Sequence, residues 1–313
     1  MIHTVRAINY RGEIVDMWLR NPEASGFLIF NMDGLGPGKS EIRLTDIITS
    51  DGGIYNSSRL PARNITMSVR FFASHGEEPI TVEQLRHKSY KYFPIKKPVT
   101  LVITTDERVC EILGYVESNE PVIFSKETHM QISIICPYPF FYDANIGSNV
   151  TVFSGVTPLF EFPFENKSLT SKLLYMSKLN RIVEGIVEYT GDSNVGITIT
   201  IDILNPIFNL TIHKIDTDEK MILDTSRLEQ MTGQGITAGD RIIIVTVTGE
   251  KSATLLRNGV YTNILYIINR DADWFQLSKG ENHFAFESLD DIEAYPLANA
   301  FITIENKILY EGV

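Results

Sequence analysis

The feature that most constrains the fold is an alternation of apolar and polar residues with period two, broken at short intervals by turn chemistry. Between Asn64 and Phe72, the residues Ile65, Met67, Val69 and Phe71 fall on one side of an extended chain. Between His129 and Cys136, the residues Met130, Ile132, Ile134 and Cys136 do the same. Successive strand side chains point to opposite faces, so each segment can bury one face and wet the other. Ile14 to Leu19, Phe27 to Phe30, Pro98 to Thr104 and Val109 to Val116 read as further strands. One helix interrupts them. Thr81 and Gln84 form a capping-box pattern ahead of Val82 to Phe93, and Pro94 limits the helix. Val82, Leu85, Ser89, Tyr92 and Phe93 make its weak apolar stripe.

A stiff connector, Cys136-Pro137-Tyr138-Pro139-Phe140-Phe141-Tyr142, follows the His129 segment. Proline removes a ladder donor, so a sheet is expected to stop there. Beyond it the pattern is one of hairpins. Leu210 to Ile215 faces Met221 to Leu223, and Arg241 to Val247 faces Ala253 to Leu256. Asn258-Gly259 is a favoured two-residue turn. Trp274 to Leu277 is expected to pair with His283 to Phe286, and Phe301 to Ile304 is the last expected strand. With 313 residues and about 100–200 residues per domain, two domains are expected: 1–140, sandwich- or barrel-like with one helix, and 141–313, a β-sandwich.

Charge separates the same two halves. Up to Cys136 there are 15 Lys and Arg against 16 Asp and Glu; after it, 13 against 23. The total of −11 disfavours sequence-specific binding to a phosphate backbone. The two cysteines, Cys110 and Cys136, imply no disulfide framework and fit a reducing compartment. The N-terminus carries no apolar signal region, and no run reaches the ~20 apolar residues of a membrane span. The sequons at Asn56, Asn64, Asn149, Asn166 and Asn209 therefore carry no weight.

Candidate chemistry is sparse. Asp33-Gly34-Leu35-Gly36-Pro37-Gly38-Lys39-Ser40 looks like a phosphate loop, but Asp33 stands where the first glycine is needed. It reads as a loop shaped by glycine. His3, His75, His87, His129, His213 and His283 are scattered and lack zinc-ligand spacing. Asp216, Asp218 and Glu219 read as a polar turn rather than a calcium loop, because Lys220 follows and no closing bidentate Glu is present. Lys88, Lys91, Lys96 and Lys97 form the one basic cluster, read first as a solvated helix end. No catalytic, cofactor or metal residues are expected.

Several segments, in order, resemble the distal tail proteins of long-tailed phages. In the first half these are Met32–Gly36, Asp51–Arg59, Arg63-Asn64-Ile65, Arg86 with Tyr90–Pro94, Gly114–Ser125 and Ile132–Phe140. In the second half they are Val195–Ile199, Ala238-Gly239-Asp240, Trp274–Leu277 and Gly280-Glu281-Asn282. The run Pro158 to Arg181 has no counterpart. The resemblance implies a structural, non-enzymatic homo-hexamer without cofactor. The N-terminal domains would form a belt around a channel that passes DNA. The C-terminal domain would be a galectin-like or carbohydrate-module-like sandwich projecting outward. The ring would join the tail tube to a hub or tail-associated lysin protein, with receptor-binding proteins as candidate passengers. It would be made in the bacterial cytoplasm and reside in a virion or phage-tail-like particle. The alternative is a carbohydrate-binding adhesin using Trp274, Tyr261, Tyr266 and Phe275.

Overall fold

The alternating segments become strands where the periodicity places them. The computed structural model describes residues 1–46, 51–73, 80–122, 128–145, 148–154, 156–158, 177–179, 182–288 and 300–313. His75, Asn166, residues 123–125 and most of the run 158–181 lie outside them. The chain divides into two compact units, Met1–Gly147 with Leu309–Val313, and Ser148–Ile308.

The first unit holds β1 (Ile2–Asn9), β2 (Ile14–Trp18), β3 (Phe27–Asp33), β4 (Glu41–Asp46), β5 (Gly53–Arg59), β6 (Arg63–Phe71), α1 (Val82–Tyr92), β7 (Pro98–Thr105), β8 (Val109–Pro121), β9 (His129–Cys136) and β10 (Phe141–Asp143). The second holds β11 (Asn149–Ser154), β12 (Val156–Pro158), β13 (Ser177–Leu179), β14 (Ile182–Tyr189), β15 (Val195–Gly196), β16 (Thr198–Ile203), β17 (Leu210–Lys214), β18 (Glu219–Leu223), α2 (Thr225–Thr232), β19 (Arg241–Val245), β20 (Ser252–Arg257), β21 (Val260–Asn263), β22 (Gln276–Leu277), β23 (Gly280–Ser288) and β24 (Ala300–Asn306). The last strand, β25 (Leu309–Tyr310), belongs to the first unit. The protein is mainly β.

In the first unit an antiparallel sheet runs β2-β1-β7-β8-β9-β6-β3. Its two end strands, β2 and β3, approach each other, so the sheet curls like a barrel. Ile65, Met67 and Val69 of β6 and Met130, Ile132 and Ile134 of β9 are fully buried on the inner face, as their alternation requires. The helix seals this interior with Leu85 and, just past its end, Phe93, both without exposure. Burying each contributes roughly 1.5–3 kcal/mol. Its capping box forms as expected. Thr81 accepts from the Gln84 N–H at 3.2 Å, and Gln84 Oε1 accepts from the Thr81 N–H at 2.8 Å.

The placement of the chain end differs from the expected division, which gave everything from 141 to 313 to the second domain. Leu309 and Tyr310 pair with Tyr142 and Phe141, and β10 in turn pairs with β8. The Tyr310 hydroxyl donates to Asp143 at 2.8 Å, and the Arg108 guanidinium lies 4.3 Å over the Tyr310 ring. Burial, reinforced by Asp143, pushes that hydroxyl up to about 12. A buried, paired strand cannot leave without exposing its ladder groups, so these residues stay with the first unit.

The second unit contains a six-stranded sheet, β11-β24-β16-β19-β20-β21, and a four-stranded sheet, β14-β23-β17-β18. Phe153 of the first meets Phe286 of the second with ring centroids 5.4 Å apart, so the two sheets pack as a sandwich. Isoleucines supply much of its core, among them Ile199, Ile201, Ile242, Ile244, Ile302 and Ile304. Asn258 and Gly259 adopt φ of 50° and 77° and join β20 to β21 as a left-handed turn pair. The expected pairing of Trp274–Leu277 with His283–Phe286 does not form. β22 pairs with β15, whereas β23 is taken on its two edges by β14 and β17. The buried Asn282 side chain folds the intervening turn, donating to Ser278 O at 2.8 Å and accepting from the Ser278 N–H at 3.0 Å.

Asp240 is 3% exposed and accepts from Arg257 and from the Thr237 N–H at 2.8 Å. Burial alone would raise its carboxyl; Arg257 and Thr237 outweigh burial and hold it below the ordinary carboxylate range. Asp240→Asn is therefore expected to cost about 2–3 kcal/mol at neutral pH. Because the folded-state pKa is depressed, this contribution is complete above the unfolded value of about 3.9 and fades as pH falls through the folded one. Denaturant unfolding of both forms between neutral pH and acid checks it. A gap that stays constant down the pH range would contradict the assignment.

Candidate assembly surface

The phosphate-loop look-alike turns out to be the seat of a guanidinium. Arg63 opens β6 and is 7% exposed. It donates to Gly34 O at 2.6 Å, Gly36 O at 2.5 Å, Pro139 O at 2.7 Å and Glu311 O at 2.7 Å. Its guanidinium also lies 4.7 Å over the Phe141 ring. Carbonyl oxygens line this loop, and that polarity suits a cation and repels phosphate. Gly34 takes φ +86°, and a Cβ there would stand 2.2 Å from Asn64 O, so the loop needs glycine.

Arg63 thus ties together the two ends of an excursion. Between the Gly34–Gly38 loop and Arg63, the chain runs out and back as the β4–β5 hairpin. All thirteen residues of these two strands are exposed. Opposed residues share a face, so Ile42 and Ser58 lie beside Leu44 and Tyr55. The Tyr55 hydroxyl lies 2.8 Å from Ser58 Oγ, in keeping with a shared face. A register shift between Arg43 and Leu44 leaves Asn56 as the extra residue, and Asn56 donates to Thr45 at 2.7 Å. The opposite face carries Glu41 and Arg59, paired at 2.8 Å, with Arg43 and Ile54. The hairpin is therefore amphipathic, and its apolar side is uncovered. Ile42, Leu44 and Tyr55 are 59%, 57% and 60% exposed. A lone two-stranded hairpin is marginal in water, and exposed apolar faces of this kind mark contacts.

The other sequence candidates resolve as structural groups. In the basic cluster, Lys88 donates to Ser25 O at 3.0 Å, Lys91 pairs with Glu13 at 2.9 Å and Lys97 lies 5.5 Å over the Tyr10 ring. Desolvation lowers the Lys88 ammonium, while the bond to Glu13 raises that of Lys91. Asp216 accepts from the His283 N–H at 2.6 Å, and Asp218 takes the left-handed turn position at φ 55°. His3 lies against Asp106, and His129 edges the Phe30 ring. Both cysteines are buried, and desolvation pushes the Cys136 thiol up to about 11. Among the described residues, no group of three or more His, Cys, Asp or Glu side chains converges as a metal site would require, and no helix is long and apolar enough to cross a membrane. Of the aromatic set, Phe275 is core, with no exposure, whereas Tyr261, Tyr266 and Trp274 reach the surface.

No protein-family model matches the chain, and no curated protein matches it. Solved structures do. The SPP1 Dit protein, a paradigm of the hub adsorption apparatus of phages infecting Gram-positive bacteria, superposes with a TM-score of 0.60 at 15% identity, over 97% of this chain and 98% of its own. A chain of the phage P2 baseplate, in its activated conformation with calcium, gives 0.48 at 11% identity over the full length of both. The first comparison spans both units, including the expected belt domain and the sandwich. From end to end, this chain has the fold of a phage distal tail protein.

Proposed function

We propose that this chain is a structural, non-catalytic subunit of a phage tail tip or baseplate, where six copies close into a ring. The observation that carries the reading is the amphipathic β4–β5 hairpin. It projects from a fold shared with the SPP1 Dit protein, and its apolar face has no cover among the described residues. In a closed ring, each subunit offers one surface and receives another, so a projecting arm on every copy finds a seat on its neighbour. Leu113 and Tyr115, half-exposed on the outer face of β8, add apolar area to the same unit. In this reading residues 1–147 with 309–313 build the belt, and residues 148–308 are carried by it. The ring joins the tail tube to a hub or tail-associated lysin protein and offers its rim to receptor-binding proteins. DNA passes through the channel without being read. The subunit is made in the host cytoplasm and works in the virion or in a phage-tail-like particle.

Size-exclusion chromatography with light scattering tests the ring. A species of about six times the 35.4 kDa chain is expected at high concentration, with annular particles in negative stain. A strict monomer that is also absent from purified particles overturns the proposal.

A further inference from the structure

The second unit carries an open cleft of about 790 Å³ that the assembly role does not use. Arg227 of α2, Asn263 at the end of β21, Tyr266, Asn269, Arg270 and Trp274 line it. Leu265 and Ile268 complete the lining among the described residues, and its two charged side chains, Arg227 and Arg270, are both cationic. Asn263 and Asn269 turn their side-chain oxygens inward, accepting from the Leu265 and Ile222 N–H groups at 2.9 Å each. Among the described residues, the side-chain nitrogens of Asn263 and Asn269 and the exposed Arg270 guanidinium have no hydrogen-bond partner. Arg227 is partly spent on Asp224 at 3.0 Å and on Tyr266 O at 3.5 Å, yet still borders the cleft. Among the described residues no Asp or Glu lines it, although the part of the chain after Cys136 is strongly acidic. Asp273, nearby, accepts from the Lys220 N–H at 3.0 Å, and Asp271 follows Arg270 in the chain as an exposed neighbour.

Two aromatic rings complete the cleft. Tyr266 is 38% exposed and Trp274 is half-buried, with the Lys251 ammonium 5.3 Å over the indole. The core beside them is filled by Phe275, Phe284 and Phe286, none of which is exposed. Unused amide and guanidinium donors do nothing for stability. Beside aromatic faces they match a ligand with acceptor oxygens, fixed negative charge and C–H-rich faces. We infer that this cleft binds an acidic saccharide, one whose sugar units bear carboxylate or phosphate groups. Rings rest on Tyr266 and Trp274, hydroxyls accept from Asn263 and Asn269, and the anion meets Arg270 and Arg227. The cleft lies wholly within the second unit, so the inference stands apart from ring formation.

Calorimetric titration of the full chain tests it, with four probes: tetragalacturonate, a phosphorylated maltotetraose, neutral maltotetraose and oligo-dT. Saturable binding of at least one of the two acidic probes is expected, with a Kd between roughly 10 µM and 1 mM. The arm that binds identifies carboxylate or phosphate as the anion. Arg270→Glu and Trp274→Ala should each weaken it about tenfold or more. Tyr261→Ala, exposed but outside the cleft, should bind as the parent does. Melting curves establish that each variant is folded, and Asn263→Ala serves as a second cleft variant if Trp274→Ala is not. No binding of either acidic probe overturns the inference. So does equal binding of maltotetraose, equal binding of oligo-dT, or indifference to Arg270→Glu.

Discussion

Arg63→Ala is expected to lower the unfolding free energy of the first unit by about 3–5 kcal/mol, among the largest effects of any single substitution in it. Four backbone carbonyls, from Gly34, Gly36, Pro139 and Glu311, converge on one buried guanidinium. A hydrogen bond to a charged group contributes roughly 1.5–3 kcal/mol, and removing the donor strands every acceptor at once. Some carbonyls regain water, which keeps the loss below the sum. Burial draws the guanidinium below its ordinary value, but arginine starts so high that it stays charged in water-stable proteins. Arg63→Lys should recover less than half of the loss, because a point cation lacks the fork that reaches carbonyls in four directions. Trp18 lies in the first unit and Trp274 in the second, so a Trp274→Phe background makes fluorescence report the first unit alone. A change within about 0.5 kcal/mol, the range of an ordinary surface substitution, would refute the anchor.

That node also marks the limit of what is legible in the sequence. The faces of β6 and β9, the capped helix and the Asn258-Gly259 turn were legible, because each depends on residues close in sequence. The look-alike loop at Gly34 could be rejected for phosphate, yet its partner Arg63 stands 29 residues on and Glu311 another 248 beyond. No periodicity connects them. The same holds for β25, whose two residues look like a frayed terminus until β10 supplies their ladder. The helix α2 is different. Its signals were present in the sequence, with Asp224 accepting from the Ser226 N–H and Gly233 in the left-handed position after the last turn. Its eight residues are too short for a clear apolar stripe. The expected hairpin between Trp274–Leu277 and His283–Phe286 failed because a strand's partner is set by both of its edges, and β14 and β17 occupy those of β23.

Three of the segments that carried the family resemblance hold a residue that its surroundings demand. Gly34 is required by Asn64 O, Asp240 by Arg257 and the Thr237 turn, and Asn282 by its own turn carbonyls. Short strings around such nodes can persist when the intervening strands exchange one apolar residue for another, since cores tolerate volume-conserving swaps. This is a physical reason for a full-length fold match at 15% identity. The donor cleft of the second unit had a partial signal. Trp274 and Tyr266 were visible as candidates for stacking on a sugar, although aromatics on alternating strands read first as core, whereas Arg227 joins them only through the fold, 47 residues before Trp274.

The second large effect is expected on assembly rather than on folding. The triple variant Ile42→Ser, Leu44→Ser, Tyr55→Ser should melt with the parent and fail to form the ring. Each of these side chains is more than half exposed within the chain, so folding gains little from it. If the ring covers them, their burial is realised only on association, at roughly 1–2 kcal/mol per side chain. Losing about 3–5 kcal/mol at each contact weakens it on the order of 10²–10⁴-fold. Every subunit of a closed ring contributes the same arm, so the defect recurs at each contact and the assembled species should vanish from sedimentation profiles. Arg43→Ser and Glu41→Gln alter the opposite, charged face of the same hairpin and should leave the profile nearly intact, since exposed charges contribute little. A triple variant that sediments as the parent would remove the hairpin's apolar face from the interface. Loss of assembly in the charged-face variants alone would turn the arm over and put Arg43 and Glu41 against the neighbour.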